Sequence, residues 1–218
     1  MRQLACLLLL ASSQLQGNMA MALRPVILGS KSATRFQIMQ EMGYEPIVRS
    51  ADIDERSIGD RLSEPSALVL ELGLAKADAL LPQLKAEGAS CLLLTGDQVV
   101  VHEGRVLEKP TDAKEVKANI AGFARSPCKT VGSAVITDLA TGKQVHGVDS
   151  AEIYFSKVPD AVVDELCAQG TVLHCAGGLM VEHPLIQPYL QEIKGDIDSV
   201  MGLSKALVKR LMDQVQQA

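Results

Sequence analysis

The 218-residue chain has no tryptophan and only 3% aromatic residues. Proteins that bind single-stranded nucleic acids stack the bases on aromatic side chains, so this composition does not fit that class. The formal net charge is −5, and no basic stretch resembles a surface that binds a nucleic-acid backbone. We therefore expect no nucleic-acid partner, although a small phosphate ligand would need only a local basic cluster.

Paired cysteines are also missing. The five cysteines are scattered, odd in number and never spaced as Cys-x-x-Cys. No cluster of cysteine and histidine has the spacing of a zinc site. Free thiols of a reducing compartment fit this pattern best, because disulfides are rare there. The cysteines therefore predict a cytoplasmic protein.

Long apolar runs are missing as well, and the N-terminal run is short. The segment MRQLACLLLLASSQLQG has a charge at Arg2, then an apolar run and small residues. This is the shape of a secretory signal peptide, but the run is shorter than the ~20 residues of a membrane span, and we predict no membrane partner. Because Met19 and Met21 stand just before the first predicted strand, residues 1–20 are interpreted as a leader, a targeting segment or a mis-assigned start. Residues 21–218 are the predicted domain, and organelle or secretory targeting stays open.

Short apolar runs alternate with segments of helical spacing, which predicts the α/β class. The chain has no internal repeat and no low-complexity linker. Apolar runs predict strands at 26–28, in the stretch from residue 46, at 92–101 and, as two or three strands, within 128–158. Helical spacing predicts helices within 36–42, 64–84, 111–124, 159–170 and 199–214. We expect a mixed, bent sheet with a cleft.

The loop GSKSATR is a candidate anion site. A glycine- and serine-rich turn that opens a helix offers backbone N–H groups and hydroxyls to an anion, and the helix dipole adds to this. Lys31 and Arg35 supply positive charge. The loop lacks the Gly-Lys-Ser/Thr ending of a Walker A motif. The alternative is an ordinary capped helix start, with Ser32 or Thr34 as the N-cap.

The stretch LLLTGDQVVVHEGRVLEKP places Asp97 between two apolar runs of a predicted strand. A carboxylate there is costly unless it is paired or lies at a cleft. It could bind Mg²⁺ or Mn²⁺, or orient a water, and Lys109 could pair with it or bind phosphate. The alternative is an aspartate that caps a turn. Lys76, on the apolar side of its helix, either extends its head to solvent or reaches a phosphate.

The stretch LHCAGGLMVEHPL is a third candidate. Gly177-Gly178 permits close approach of the backbone to a ligand. Glu182 and His183 could contact a base edge. His174 and His183 are too isolated to predict a metal site, and a structural role is the alternative for each.

Together these parts match what the metal-assisted hydrolysis of a phosphoanhydride requires. A divalent cation neutralises phosphate charge, a carboxylate such as Asp97 handles the water, and lysine or arginine stabilises the leaving group. A hydroxyl-rich loop, Glu55 and the Gly-Gly turn complete the set. A nucleotide-sugar or sugar-phosphate enzyme is a weaker alternative, because it rests on the α/β pattern alone.

These blocks resemble the Maf family of nucleoside triphosphate pyrophosphatases. The resemblance rests on LGSKSATRFQIM, DIDE, LGLAKADA, GDQVVVHEGRVLEKP, CAGGLMVEHPLI and VMGLSKAL, which occur in the family's order between about residues 24 and 213. It implies a fold similar to that of inosine-triphosphate pyrophosphatases: a curved mixed sheet flanked by helices, with two lobes and a nucleotide cleft. It implies cleavage of a nucleoside triphosphate to the monophosphate and pyrophosphate with Mg²⁺, Mn²⁺ or Co²⁺. A homodimer is one open possibility for its assembly.

The resemblance also implies roles for individual residues. Asp97 is the expected catalytic residue and, with Glu55, the expected metal ligand. The expected phosphate-binding residues are Ser30, Arg35, Lys76 and Lys109. A non-catalytic nucleotide-binding regulator of cell division is the alternative, since the family is tied to septum formation, but the retained Asp97 favours an enzyme.

Three positions that the family links to base choice fall on Thr34, Gln98 and Glu182. By this resemblance, members directed to dTTP and UTP carry Arg, Thr and Gln at these positions. Members directed to 7-methyl-GTP carry Trp or His, then Gln and Glu. The chain matches the second type at two of three positions, which favours a 7-methyl-GTP-like substrate over dTTP or UTP. Thr34 matches neither type. Ala33 and Ser204 also replace the family's usual prolines.

Overall fold

The structure, a computed structural model, describes residues 23–62 and 64–217, so the predicted leader lies outside the described residues. Its strands are β1 (Val26–Leu28), β2 (Ile47–Val48), β3 (Leu92–Thr95), β4 (Gln98–His102), β5 (Arg105–Leu107), β6 (Cys128–Asp138), β7 (Gln144–Phe155) and β8 (Leu190–Lys194). Its helices are α1 (Ala33–Glu41), α2 (Pro65–Ala86), α3 (Ala113–Phe123), α4 (Asp160–Gln169), α5 (Ile197–Val200) and α6 (Lys205–Gln216). The predicted α/β class is confirmed.

The strands form one mixed sheet organised around the long strand β6. Strand β1 pairs in parallel with β2 and β3, and the other pairings are antiparallel. The end of β6 pairs with β3 and its beginning with β4, while β7 runs along its opposite edge and continues the sheet to β8. Strands β3 and β4 therefore lie end to end along the same edge of β6.

Alternation of side chains divides the core around β1, β3 and the end of β6 into two layers. Val26, Leu28, Leu92 and Leu94 face α1 and α6 in one cluster, whereas Ile27, Leu93 and Val135 face α2 in another. This is the period-two pattern of strands that are covered on both faces. The short apolar runs of the sequence follow from this double coverage.

A further cluster forms around the beginning of β6. It combines residues of β4, β5 and β7 with α3, α4 and the segment 172–186. Helix α2 reaches this part too, because Leu68, Val69 and Leu72 pack on Val99 and Val131. With 22 residues the helix is about 33 Å long. The two groups of clusters agree with the expected two lobes, and α2 and β6 connect them.

Two predicted elements are interrupted in the structure. The single strand predicted over residues 92–101 is wrong, because the ladder breaks at Gly96-Asp97 and Asp97 lies between β3 and β4. The single C-terminal helix is also wrong. Helix α5 ends at Val200, Gly202 takes a left-handed backbone conformation with φ +115°, and Ser204 then caps α6 through the Leu207 N–H. Glycine tolerates that conformation, whereas a helix does not continue through it.

Arg24 and Asp138 join the start of β1 to the end of β6. Two guanidinium nitrogens of Arg24 donate to the Asp138 carboxylate at 2.9 and 2.8 Å, which holds the pKa of Asp138 at about 2. Because this pKa is lower in the folded than in the unfolded chain, ionised Asp138 stabilises the fold at pH values above about 4. The stabilisation is lost as the pH falls from about 4 through 2.

We expect Arg24→Met to lower the free energy of unfolding at pH 7 by about 1–2 kcal/mol, because the ion pair with Asp138 is lost. The loss is no larger because Arg24 is one-third exposed and solvent screens the pair. Urea denaturation at several pH values measures this, and the difference from wild type should shrink between pH 4 and pH 2. Arg49→Met is the matched control, since the Arg49–Glu87 pair is exposed and 3.9 Å long. A difference that does not change with pH would contradict the assignment.

Candidate functional site

The candidate site lies where β3 ends and β4 begins. Helix α2 lies close to the sheet here: a Cβ on Gly73 would stand 2.9 Å from Ser133 Oγ and 3.3 Å from Gly96 Cα. Thr95 Oγ1 donates to the Gly73 carbonyl at 2.7 Å. Lys76 follows Gly73 by three residues, so it lies one helical turn further along the same face of α2. The close approach therefore brings Lys76 to the break in the sheet.

Gly96 is required at the break. A Cβ at this position would stand 2.1 Å from the Ser133 carbonyl oxygen, a distance that no side chain tolerates. The backbone of Asp97 is tied to Ser133 on both sides, since Asp97 N–H donates to Ser133 Oγ at 3.1 Å and Ser133 N–H to the Asp97 carbonyl at 2.8 Å. Ser133 Oγ itself donates to the Val69 carbonyl of α2. The backbone that carries Asp97 is fixed independently of its carboxylate.

Lys76 lies between two carboxylates. Its ammonium is 2.6 Å from Asp97 Oδ1 and 2.9 Å from Glu55 Oε1. The Lys76 side chain is 10% exposed and that of Asp97 15%, whereas that of Glu55 is 47% exposed. Three predicted site residues, distant in sequence, therefore meet. The Lys76 ammonium therefore does not extend to solvent but is held by the two carboxylates, and its contact with a phosphate stays a prediction.

The charges around Glu55 favour its ionised form. Burial by itself would raise the pKa of Glu55, but the hydrogen bond and charge of Lys76, together with the charges of Lys109 and Arg35, lower it overall. Glu55 opens a short 3₁₀ turn, Glu55–Ser57, capped by the Asp54 carboxylate. Arg61 reaches back from this loop to the Glu55 carbonyl at 2.7 Å and to Glu108 at 3.0 Å. The loop is thus fastened beside Lys109.

The serine-rich loop caps α1 and holds an arginine. Ser32 is the N-cap and accepts from the Arg35 N–H at 3.3 Å, so of the two predicted caps Ser32 is confirmed. Arg35 donates to the Gly202 and Gly96 carbonyls, each at 2.9 Å, and to Ser30 Oγ at 3.4 Å. Burial lowers the pKa of Arg35, while Asp97 and Glu55 partly offset this. Arg35 therefore ties three loops together next to Asp97.

The three predicted base-selecting residues have different surroundings. Gln98 follows Asp97 directly and donates to the Ser199 and Val200 carbonyls. Thr34 Oγ1 is 2.8 Å from Ser32 Oγ at the start of α1. Glu182 lies in a separate segment, where its charge raises the pKa of Cys175 in addition to the larger effect of burial, and Lys109 lowers it.

Lys109 is the link between these parts. Its positive charge lowers the pKa of Glu55 and that of Cys175. The negative charge of Glu182 raises the pKa of the same Cys175 thiol. The Glu108 carbonyl accepts from Gly177 N–H at 2.8 Å, which holds the Gly-Gly turn against the end of β5. No direct contact joins Glu182 to Asp97 among the described residues. The segment with Glu182 thus lies beside the cluster of Lys76, Asp97 and Glu55 and is separate from it.

Sequence reasoning missed several residues that fix this geometry. Ser133 holds the backbone of Asp97, and the Gly202 carbonyl holds the side chain of Arg35. The Ser199 carbonyl holds the side chain of Gln98. The block VMGLSKAL contains one of these three residues, Gly202, but its partner Arg35 is distant in sequence. Ser133 lies in an apolar strand, where a lone buried serine gives no signal of its role.

The cluster suits a divalent cation. Glu55 and Asp97 offer hard carboxylate oxygens, which Mg²⁺ and Mn²⁺ prefer. No group of three or more histidine, cysteine, aspartate and glutamate side chains positioned to hold a metal ion occurs in residues 23–62 and 64–217. A cation held by two carboxylates and completed by substrate phosphates fits such a donor set, since Mg²⁺ is often bound in this way.

Comparison with known proteins decides the family. The sequence profile described as Maf-like protein matches residues 25–215. The chain belongs to the Maf-like family. The 7-methyl-GTP pyrophosphatase of Dictyostelium discoideum is 38% identical over 201 residues, covering 90% of this chain and all of that protein.

Other Maf-like relatives carry a broader description. A nucleoside triphosphate pyrophosphatase of Nostoc punctiforme is 29% identical, and the match covers 89% of this chain and 95% of the Nostoc protein. Another of Rhodococcus jostii is 31% identical, covering 87% and 91%. Within the described part of this Maf-like chain, no helix combines the length and apolar character that a membrane crossing requires.

Proposed function

We propose that the chain hydrolyses a nucleoside triphosphate to the monophosphate and pyrophosphate. The observation that carries this proposal is the buried Lys76 ammonium between the carboxylates of Asp97 and Glu55. The cluster combines a basic group with two acidic groups, a combination that suits hydrolysis of a phosphoanhydride. The names of the Maf-like relatives agree with this reaction.

Asp97 has the position of the group that handles the water. Its backbone is held on both sides by Ser133, so the carboxylate is presented from a rigid support. Its second carboxylate oxygen accepts no hydrogen bond within the described residues, and that oxygen can orient the attacking water and accept its proton. Lys76 holds the first oxygen and keeps the carboxylate in place.

Lys76, Lys109 and Ser30 are the proposed partners of the phosphates. Lys109 is exposed and carries charge to the edge of the cluster, where it can meet the leaving pyrophosphate. Arg35 contributes less directly than its position in the loop implied, because two of its nitrogens already donate to backbone carbonyls. Its charge still adds to the positive potential that attracts a triphosphate.

Glu55 and Asp97 are the residues that would hold the divalent cation. When bound, Mg²⁺, Mn²⁺ or Co²⁺ neutralises phosphate charge and makes a coordinated water more acidic. Glu55 supplies an ionised carboxylate because its pKa is lowered. Removal of divalent cations with EDTA should therefore abolish pyrophosphate release, and Mg²⁺ or Mn²⁺ should restore it.

The proposed substrate is a modified guanine nucleotide such as 7-methyl-GTP. Gln98 and Glu182 match the residues that the family resemblance links to this base. The relative in Dictyostelium discoideum is named as a 7-methyl-GTP pyrophosphatase. An ionised carboxylate only accepts hydrogen bonds, and guanine offers N–H donors at N1 and N2 where uracil and thymine offer one. Methylation at N7 adds positive charge, which Glu182 would favour.

A panel of nucleotides tests the reaction and its substrate together. Purified protein is assayed for pyrophosphate release from 7-methyl-GTP, GTP, UTP, dTTP and ATP with Mg²⁺ or Mn²⁺. We expect release from at least one nucleotide, with 7-methyl-GTP at least equal to UTP and dTTP. Binding of nucleotides without any release would instead support a regulator. The predicted cytoplasmic location and the monomer–dimer alternative stay predictions, which fractionation and light scattering would test.

Glu182→Gln should shift the preference toward pyrimidine nucleotides. Glu182 is partly buried, and each hydrogen bond to its carboxylate that is lost or mismatched should change discrimination by about 1–3 kcal/mol, or roughly 5- to 150-fold. The ratio of kcat/KM for 7-methyl-GTP to that for UTP is the measurement. Glu165→Gln, an exposed change on α4, is the matched control. A wild-type preference for UTP that Glu182→Gln leaves unchanged would contradict the base assignment and leave the hydrolytic reaction standing.

A further inference from the structure

The side-chain amide of Gln98 has a fixed orientation. Its nitrogen donates to the Ser199 carbonyl at 2.7 Å and to the Val200 carbonyl at 3.3 Å. Carbonyl oxygens only accept hydrogen bonds, so the nitrogen of the amide, and not its oxygen, must face them. The end of α5 therefore decides which atom Gln98 keeps for a ligand.

The atom that remains is an acceptor. No hydrogen bond among the described residues ends on Gln98 Oε1, and Gln98 is partly exposed. A Cβ on Gly202 would stand 3.5 Å from this oxygen and 3.5 Å from Arg35 Nε. Because Gly202 has no side chain, the oxygen is left uncovered on this side.

Helix α5 is too short to hold its own position. It has four residues, and so short a helix is not stable without tertiary contacts. Ser199 is buried and donates to the carboxylate of Asp149 on β7. Asp198 accepts from the Lys205 N–H, which links α5 to α6. Asp149 thus fastens the Ser199 side chain, and with it the end of α5, to β7.

Asp149 and Ser199 also meet around a small cavity. Its lining includes Ser133, Gly202 and Ser204, and its volume is about 220 Å³ including space open to solvent. The cavity lies on the same face of the sheet as Gln98, since Gln98 pairs with Gly132 on β6 and Gly132 pairs with Asp149 on β7, and directly paired residues share a face. A change at Asp149 therefore acts on Gln98 through the end of α5 and across the sheet, with no direct contact between the two side chains.

We propose that Asp149 is a positioning residue for base selection. It holds Ser199, the Ser199 and Val200 carbonyls orient Gln98, and Gln98 offers only its oxygen to the substrate. This inference rests on the proposed function, in which Gln98 faces the base. The chemistry recognised is a ring N–H donor, which guanine and uracil have, whereas the corresponding ring nitrogens of adenine and cytosine are acceptors and are repelled by Oε1.

The first test compares discrimination between GTP and ATP. We expect Asp149→Ala to lower the GTP/ATP ratio of kcat/KM by about 5-fold or more, the effect of one misaligned hydrogen bond. Asp149→Asn retains an oxygen that accepts from Ser199, and its ratio should stay within about 2-fold of wild type. Ser150→Ala, an exposed neighbour on β7, is the matched control. Equal losses on both nucleotides, or an unchanged ratio in Asp149→Ala, would overturn the inference.

The second test does not depend on activity. In ¹⁵N-labelled protein, the Gln98 side-chain amide is identified by its absence in Gln98→Leu, and its hydrogen exchange is measured. Exchange should be slow in wild type and Asp149→Asn and at least about 10-fold faster in Asp149→Ala. Equal exchange in wild type and Asp149→Ala would refute the positioning role even in an active enzyme. Failure of every nucleotide to release pyrophosphate would reject the proposed function alone, because the exchange experiment still decides the orientation of Gln98.

Discussion

Asp97→Asn is expected to abolish most pyrophosphate release while the protein stays folded. Asparagine is nearly the same size and keeps an oxygen that can accept from Lys76, but it cannot take a proton from water at neutral pH. A general acid–base group contributes about 10²- to 10⁴-fold to a reaction rate, so kcat should fall by ~100-fold or more. The backbone bonds between Asp97 and Ser133 do not involve the substituted atoms.

The measurement is steady-state pyrophosphate release from the best nucleotide of the panel, together with thermal unfolding. The melting temperature should change by less than about 4 °C, which corresponds to roughly 1 kcal/mol in a domain of this size. Asp78→Asn is the matched control, because Asp78 is an exposed carboxylate on α2, two residues from Lys76. Wild-type turnover in folded Asp97→Asn would remove Asp97 from the catalytic role.

Lys76→Met is expected to have the second largest effect. Methionine fills part of the same volume but leaves Asp97 and Glu55 without the cation that separates them. The two carboxylates then repel each other and the phosphates, and loss of a preorganised charge of this kind costs about 10²- to 10³-fold in kcat. Triphosphate binding should weaken more than monophosphate binding, because we propose that the ammonium also contacts the phosphates.

Calorimetry with a triphosphate and its monophosphate distinguishes this role from a structural one. We expect the dissociation constant of the triphosphate to rise by about 10-fold more than that of the monophosphate. Lys85→Met, an exposed change on the same helix, should alter neither constant. Equal weakening for both nucleotides would mean that Lys76 only supports the fold.

The sequence by itself determined the class of fold and most of the candidate residues. Short apolar runs, separated by segments of helical spacing, predicted the strands and helices around β1, α1, α2 and α3, because local periodicity reflects which face is buried. The order of motifs predicted the family, which the profile match confirms. It also selected Asp97, Lys76 and Glu55, whose proposed roles await the experiments above.

The tertiary structure decided how these residues meet. The break at Gly96-Asp97 was not predicted, because it depends on the Ser133 carbonyl of a distant strand that excludes any side chain at Gly96. The break at Gly202 depends likewise on a backbone conformation that only packing reveals.

The partners of charged side chains are also a tertiary property. The sequence placed Arg35 in a loop suited to phosphate, whereas the fold turned it toward the Gly96 and Gly202 carbonyls. The amide of Gln98 could face a ligand with either atom until α5 supplied two carbonyls to its nitrogen. Hydrogen-bond partners distant along the chain become neighbours only when the sheet and helices are packed, and this is why residue types could be read from the sequence while their orientations could not.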